Sequence, residues 1–146
     1  FIRPEGGETV VRTYRDEFEP SPVLAEPQAS VAVSVTCAET DDEAEQLSWS
    51  RWAWRLAAGR GVSGGIPSPR EAMTYEYSEP ELEYIAHARS TSIYGSPGTV
   101  RDRLLELAAA HDVDELVVVT ITHDFEARKR SYELLAEAFR LQPPEP

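Results

Sequence analysis

The sequence predicts an α/β fold in which parallel strands pack against helices. Two valine-rich segments, 29–38 (ASVAVSVTCA) and 115–122 (ELVVVTIT), have the composition of buried strands and lie about 75 residues apart. Segments with helical periodicity precede, separate and follow these two strands. Such an alternation along the chain is typical of a sheet that is covered by helices.

The first predicted strand carries one apolar row and one small polar row of side chains. The two rows are Val31, Val33 and Val35 and, between them, Ser30, Ser34 and Thr36. Because successive side chains point to opposite faces of a strand, the serines and threonine share one face. That face suits a barrel interior or a pocket wall, and a solvated sheet face would have the same pattern. The second strand is nearly continuous in apolar character, which predicts helices on both of its faces.

Each predicted helix begins at a recognisable signal or carries an apolar stripe. Thr40 and Glu43 have the spacing of a capping box, in which hydroxyl and carboxylate each bond a backbone amide of the other residue. Ser96 followed by Pro97 predicts an N-cap with proline in the first turn. The last helix is assigned a stripe that starts at Phe125. The predicted helices span residues 8–18, 41–59, 79–89, 97–111 and 125–139.

The connection 59–69 (GRGVSGGIPSP) holds four glycines and two prolines. This composition predicts a mobile loop between two helices. Its Gly-Arg-Gly sequence is not a dinucleotide fingerprint, because it follows a helix instead of joining a strand to a helix.

The charge of the chain excludes several classes of function. Its formal net charge is −12, from 26 acidic and 14 basic residues. Such a chain repels phosphate backbones and anionic lipids, so neither nucleic acid nor a membrane is an expected partner. The sequence has no apolar run of about 18 residues that would cross a bilayer.

Four further features bound the class of protein. Cys37 is the single cysteine, so neither a disulfide framework nor a cysteine metal site is expected. The three histidines have no His-Glu metal spacing, and we expect no metal. No signal peptide is visible, so we expect a cytoplasmic protein. Phe1 stands where a native start would carry Met, and we expect the chain to belong to a longer one.

Four stretches of the sequence, taken in order, resemble the C-terminal part of the luciferase-like flavin-dependent monooxygenases. The first resembles a "YRxxFxPS" helix end, and the second resembles the strand and acidic helix start that follow it. The third resembles "GTPxxV" ahead of the penultimate helix, and the fourth resembles the final strand and helix. These stretches are 14–21 (YRDEFEPS), 24–40, 94–100 (YGSPGTV) and 114–136. The resemblance covers nearly the whole chain.

The resemblance implies a (β/α)8 barrel. Residues 1–142 would form its C-terminal part, with two core parallel strands, and residues 143–146 would be a flexible tail. It implies reduced FMN, or the deazaflavin F420, as cofactor and oxidation of a small organic substrate with O2. The connection 59–69 falls where the family carries a mobile lid. The family's main flavin-phosphate contacts and best-known catalytic residues lie on earlier strands. We therefore expect this chain alone to be inactive, to bind FMN weakly, and to need the N-terminal barrel half or self-association.

The candidate site lies at the carboxyl ends of the strands, where barrel enzymes carry their chemistry. There, Thr36, Cys37, Thr122 and His123 are the predicted substrate or flavin pocket. His123 is the candidate catalytic residue, since an imidazole can donate a hydrogen bond or move a proton near neutral pH. The alternative is that His123 and Asp124 only cap the last helix.

Cys37 and the two arginines that flank the lid each have an ordinary explanation as well. Cys37 would either face the flavin or serve as a small core residue. Arg60 and Arg70 flank the lid. On closure they would hold an anionic substrate or the flavin phosphate. The alternative is that they are solvated loop arginines.

Two other functions stay open. The chain could be a non-catalytic homo-oligomeric α/β module derived from a barrel half, or part of an F420-dependent oxidoreductase. An independent module would carry polar side chains on strand faces that a barrel buries. Val117, Val118, Val119 and Ile121 show no such change, which favours the barrel part.

Overall fold

Three parallel strands and six helices make up residues 6–142, the part of the chain that the computed structural model describes. The strands are short, and the helices stand before, between and after them. In chain order the elements are α1 (Gly7–Asp16), β1 (Ser30–Cys37), α2 (Asp41–Gly59), α3 (Pro69–Thr74), α4 (Glu79–Thr91), β2 (Ile93–Gly95), α5 (Pro97–His111), β3 (Glu115–Val119) and α6 (Phe125–Phe139). The α/β class is confirmed, and the predicted tail 143–146 lies outside the described residues.

β1 is the central strand of the sheet, which has the order β2-β1-β3. β3 pairs with the first part of β1, from Ser30 opposite Glu115 to Ser34 opposite Val119. β2 pairs only with the last three residues of β1, where Cys37 lies opposite Gly95. The sheet therefore leaves one edge of β1 unpaired over its first half.

The prediction of two strands is corrected to three. β2 has only three residues, too few for an alternating pattern to be visible. α3 was not predicted either, although Ser68 and Glu71 form a complete capping box with Pro69 in the first turn. That signal lies at the end of the glycine-rich connection 59–69, whose composition predicts a loop.

The core lies on the side of the sheet that faces α5 and α6. The valine row of β1 points there, together with Leu116 and Val118 of β3. Val33, Leu116 and Val118 pack against one cluster, and Val31 belongs to a second cluster with Val11 and Val113. The first cluster is Val35, Cys37, Ile93, Val100, Leu104, Leu134 and Leu135. The predicted division of β1 into an apolar row and a small polar row is thereby confirmed.

The other face of the sheet is open beside β3, which corrects the expectation of a strand covered on both faces. Val117 remains 46% exposed and Val119 is half-buried. The reason is that α5 and α6 both lie on the opposite face, against Leu116 and Val118. The strand is also shorter than expected, since regular pairing ends at Val119 and not at residue 122.

Among the described helices, none is long and apolar enough to span a bilayer.

Candidate functional site

The carboxyl ends of β1 and β3 meet at one edge of the sheet, because the strands are parallel. Thr36 and Cys37 end β1, and Thr122 and His123 follow β3. Thr36 and Thr122 are buried, whereas His123 is exposed. Thr122 Oγ1 donates a hydrogen bond to the Asp124 carbonyl at 2.7 Å.

His123 joins this edge to the glycine- and proline-rich connection. Its Nδ1 lies 2.7 Å from the carbonyl oxygen of Ile66. A carbonyl oxygen can only accept, so Nδ1 carries a proton in this contact. In the neutral imidazole, Nε2 then has a lone pair and can accept a proton or a hydrogen bond. The loop and the strand end are therefore in contact through the residue that the sequence singled out.

Asp124 caps α6 as expected, since its Oδ1 accepts the Ala127 N–H at 2.7 Å. The imidazole of His123 takes no part in that cap. Its neighbour on the connection side is Glu71, which closes the capping box of α3. The hydroxyl and N–H of Ser68 lower the pKa of Glu71, and positive charge on the nearby His123 would add to the effect. His123 thus contacts a carbonyl acceptor and lies near an acidic side chain.

Cys37 lies on the opposite face of β1 from Thr36, inside the core cluster. Burial, reinforced by the negative charge of Glu39, raises the pKa of the thiol to about 11, against a lowering effect from Arg130. The thiol is therefore protonated at neutral pH and is a poor nucleophile. Cys37 therefore lies on the core side of the sheet, away from the open face.

The two predicted lid arginines lie in different surroundings. Arg60 follows the last residue of α2 and forms an ion pair with Glu81 of α4. Glu81 is the third residue of α4, where the N–H and hydroxyl of Ser78 lower its pKa and Arg60 adds to this. Arg70 is exposed on the first turn of α3. Arg60 thus joins the end of α2 to the start of α4, whereas Arg70 lies on α3 beside the connection.

The chain is similar in sequence to part of several known proteins. No family model matches the chain. The chain is 44% identical over 140 residues to the uncharacterized protein YwcH of Bacillus subtilis, and this match covers 95% of the chain and 42% of YwcH. It is 41% identical to YceB of the same organism, over 139 residues. It is 32% identical over 121 residues to a luciferase-like monooxygenase of Escherichia coli K12, covering 83% of the chain and 36% of that protein.

A crystal structure of apo-MsnO8 superposes on the chain with a TM-score of 0.83 at 34% identity. The superposition covers 97% of the chain and 43% of that structure. The chain is similar to part of a luciferase-like protein. It spans about two fifths of the length of the relatives that it matches.

A buried polar cluster beneath the site was missed at the sequence level. Ser131 of α6 accepts the Cys37 N–H at 2.9 Å and lies 3.5 Å from Oγ1 of Thr120. The backbone N–H of Thr120 donates to Tyr132 Oη at 3.0 Å. Together these contacts hold α6 against the ends of both strands. A serine at helical spacing from Leu135 is the signal that could have shown it.

Within residues 6–142, no group of three or more His, Cys, Asp or Glu side chains could hold a metal ion.

Proposed function

We propose that this chain is the C-terminal part of a luciferase-like flavin-dependent monooxygenase, which as a complete polypeptide oxidises a small organic molecule. The proposal is supported by the similarity to a protein named luciferase-like monooxygenase and by the TM-score of 0.83 with apo-MsnO8. Both matches involve less than half of the other protein, so the activity would belong to a longer polypeptide.

The observation that carries the proposal is the open face of the sheet. Val117 is an apolar side chain that solvent reaches, in the middle of a strand whose other face is fully occupied. An apolar sheet face, with Val117 exposed and Val119 half-buried, is typical of a surface that another layer covers. In a barrel that layer would be side chains from the remaining strands, filling the interior. The polar side chains Ser34 and Thr36 on the same face would then point into the barrel.

The residues at the carboxyl edge fit the ring of a flavin better than its phosphate. Thr36, Thr122 and His123 offer hydroxyls and an imidazole, which can form hydrogen bonds with the polar edge of an isoalloxazine. Arg60 is already paired with Glu81, so its charge is engaged away from this edge. A reduced flavin bound there would supply the electrons for the reaction with O2. FMN is the favoured cofactor, and F420 is the alternative.

His123 would hold or move a proton at this edge. With its Nδ1 proton directed to the Ile66 carbonyl, Nε2 is the atom that accepts a hydrogen bond or a proton from substrate. The same contact would hold the connection at this edge whether or not Nε2 takes up a proton. A doubly protonated His123 keeps the Ile66 contact, because both nitrogens then donate.

A chimera tests the proposal. In it, this chain replaces the matched 42% of YwcH, and FMN is titrated against the chimera and against the 146-residue chain, followed by flavin fluorescence. We expect saturable FMN binding by the chimera and none by the chain alone up to high micromolar flavin. The His123→Asn chimera should bind FMN, but the oxidation of its bound reduced flavin by O2, followed by stopped-flow absorbance, should differ in rate from that in the unsubstituted chimera. A folded chimera that binds no flavin, or a chain that binds FMN one-to-one at low micromolar concentration, would overturn the proposal. Preferential binding of F420 would replace FMN as the cofactor.

A homo-oligomeric module is the second candidate, favoured by the same exposed Val117. In that case the face would be covered by another copy of the chain. Light scattering on the chain and on a Val117→Glu variant separates the two functions. A dimer that the variant dissociates, together with a chimera that binds no flavin, would identify the chain as a module.

A further inference from the structure

A cavity of about 670 Å³ lies beside the first half of β1, at the edge that β2 leaves unpaired. Helices α2, α4 and α5 form its walls. It is separate from the carboxyl edge that carries His123, because its strand residues are 31–34. Its polar lining includes Ser34, Arg51, Arg55, Tyr84, Arg103 and Glu106.

The lining is cationic in a chain that is strongly anionic overall. Three arginines and His87 line the cavity, and Glu106 is the one carboxylate among the lining residues. Arg51 and Arg55 are one helical turn apart on α2, where like charges repel each other. Within residues 6–142, none of the three arginines takes part in an ion pair; Arg12, Arg70, Arg128 and Arg140 lack one as well, but do not line the cavity. Unbalanced positive charge is therefore concentrated at this cavity.

Arg51 carries the clearest sign of an absent partner. Its Nε is buried and forms no hydrogen bond within the described structure. Burial, with the neighbouring positive charge of Arg55, lowers the pKa of Arg51. A guanidinium nevertheless remains charged in proteins, so its buried N–H requires an acceptor. An anion in the cavity would supply that acceptor and relieve the repulsion from Arg55.

We propose that this cavity binds a small molecule through a carboxylate or phosphate group. The forked donors of guanidinium match both groups, which accept paired hydrogen bonds from arginine. The Ser34 hydroxyl offers a further donor, and the volume lies in the range of small-molecule sites. Trp52, also in the lining, forms an apolar wall for the rest of such a molecule. In a barrel, a further strand would lie along the first half of β1, so we make this inference for the 146-residue chain, and the chimera tests whether the cavity persists.

The test is a titration of the 146-residue chain with inorganic phosphate and with citrate, followed by tryptophan fluorescence, because Trp52 lines the cavity. Sodium chloride at equal ionic strength is the reference. We expect a saturable change that Arg51→Gln or Arg103→Gln weakens about tenfold or more. Arg101→Gln is the matched control, since Arg101 lies on the same helix, pairs with Asp102 and is not in the lining. We expect Arg51→Gln to fold, because it removes a like charge beside Arg55.

Two results would overturn the proposal. One is the lack of a saturable response to phosphate and citrate up to tens of millimolar in a chain with native circular dichroism. The other is an equal loss of affinity in the Arg101→Gln and Arg103→Gln variants, which would indicate nonspecific screening. The chimera with YwcH distinguishes the source of the anion. Retained phosphate binding supports a free ligand. Loss of binding, with a lower melting temperature for its Arg51→Gln variant, would assign the arginines to an acidic side chain of the longer polypeptide.

Discussion

The backbone N–H of Cys37 donates a hydrogen bond to Oγ of Ser131 at 2.9 Å, across 94 residues of sequence. Both residues are fully buried, so no water can replace the hydroxyl. We expect Ser131→Ala to lower the free energy of unfolding by about 1–3 kcal/mol, because a buried amide loses its acceptor. Urea unfolding followed by circular dichroism measures the change.

Ser50→Ala is the matched control for this substitution. The Ser50 hydroxyl is equally buried but has no hydrogen-bond partner within the described structure. Its removal should leave the stability unchanged or raise it slightly, because an unsatisfied polar group disappears. Equal losses in the two variants would show that the Ser131 contact is unimportant and that only side-chain volume matters.

Gly95 cannot be replaced without strain. Its φ is +149°, and a Cβ there would lie 2.8 Å from Asp41 Oδ1 and 2.8 Å from Thr99 Cγ2. Asp41 is fixed in place because the same Oδ1 accepts the Ser96 N–H at 2.6 Å. We expect Gly95→Ala to cost about 1–3 kcal/mol of unfolding free energy.

Gly98→Ala provides the comparison for Gly95→Ala three residues later. A Cβ at Gly98 meets nothing within 4 Å, and the residue lies in the first turn of α5. Alanine there should raise stability by up to about 1 kcal/mol, because it favours the helix. If Gly95→Ala were as stable as Gly98→Ala, the packing between α2 and α5 would have to be looser than described.

The contact between His123 and Ile66 should protect the connection from trypsin. Arg60 and Arg70 provide cleavage sites on either side of it. His123→Ala removes one hydrogen bond of about 1 kcal/mol, so we expect cleavage to become about fivefold faster. His87→Ala, at an exposed histidine on α4, should leave the rate unchanged. Identical rates in both variants would show that the imidazole does not hold the loop.

The thiol of Cys37 should be slow to react with alkylating reagents. A pKa of about 11 instead of 9.0 leaves about a hundredfold fewer thiolates at pH 8. The same shift makes stability depend on pH. Unfolded chains lose the thiol proton near pH 9, before folded ones do, so the free energy of unfolding should fall from pH 9 towards pH 11 and stay level below 9. A Cys37→Ala variant should lack this decline. Rapid labelling at pH 8 without denaturant would contradict the burial of the thiol.

Much of the fold follows from local signals in the sequence. The alternation of valine with serine and threonine located β1, and the Thr40 cap and the Ser96-Pro97 pair located the starts of α2 and α5. These signals act within a few residues, which is why they are visible without a structure. The three-residue strand β2 could not be found in this way, because its stability comes from pairing with β1 and not from its own composition.

The buried face of α6 was predicted only in part. Leu135 of the predicted stripe is buried, but Phe125 at its start is 70% exposed, and the helix also buries Ser131 and Leu134. A hydrophobicity pattern does not show that a serine is buried because it forms hydrogen bonds at the ends of two strands. At the site, the sequence identified His123 but not its contact with Ile66. The two residues are 57 positions apart and meet only in the folded chain.

The central position of β1 delays its pairing during synthesis. Ser30 pairs with Glu115, 85 residues later in the chain. At ordinary translation rates, the ribosome needs roughly 4–17 s to add those residues. During that time a valine-rich, uncharged segment is present on the nascent polypeptide and could join other nascent polypeptides. The acidic residues directly after it, from Glu39 to Glu45, repel neighbouring copies, and they act as gatekeepers until the final strand leaves the ribosome.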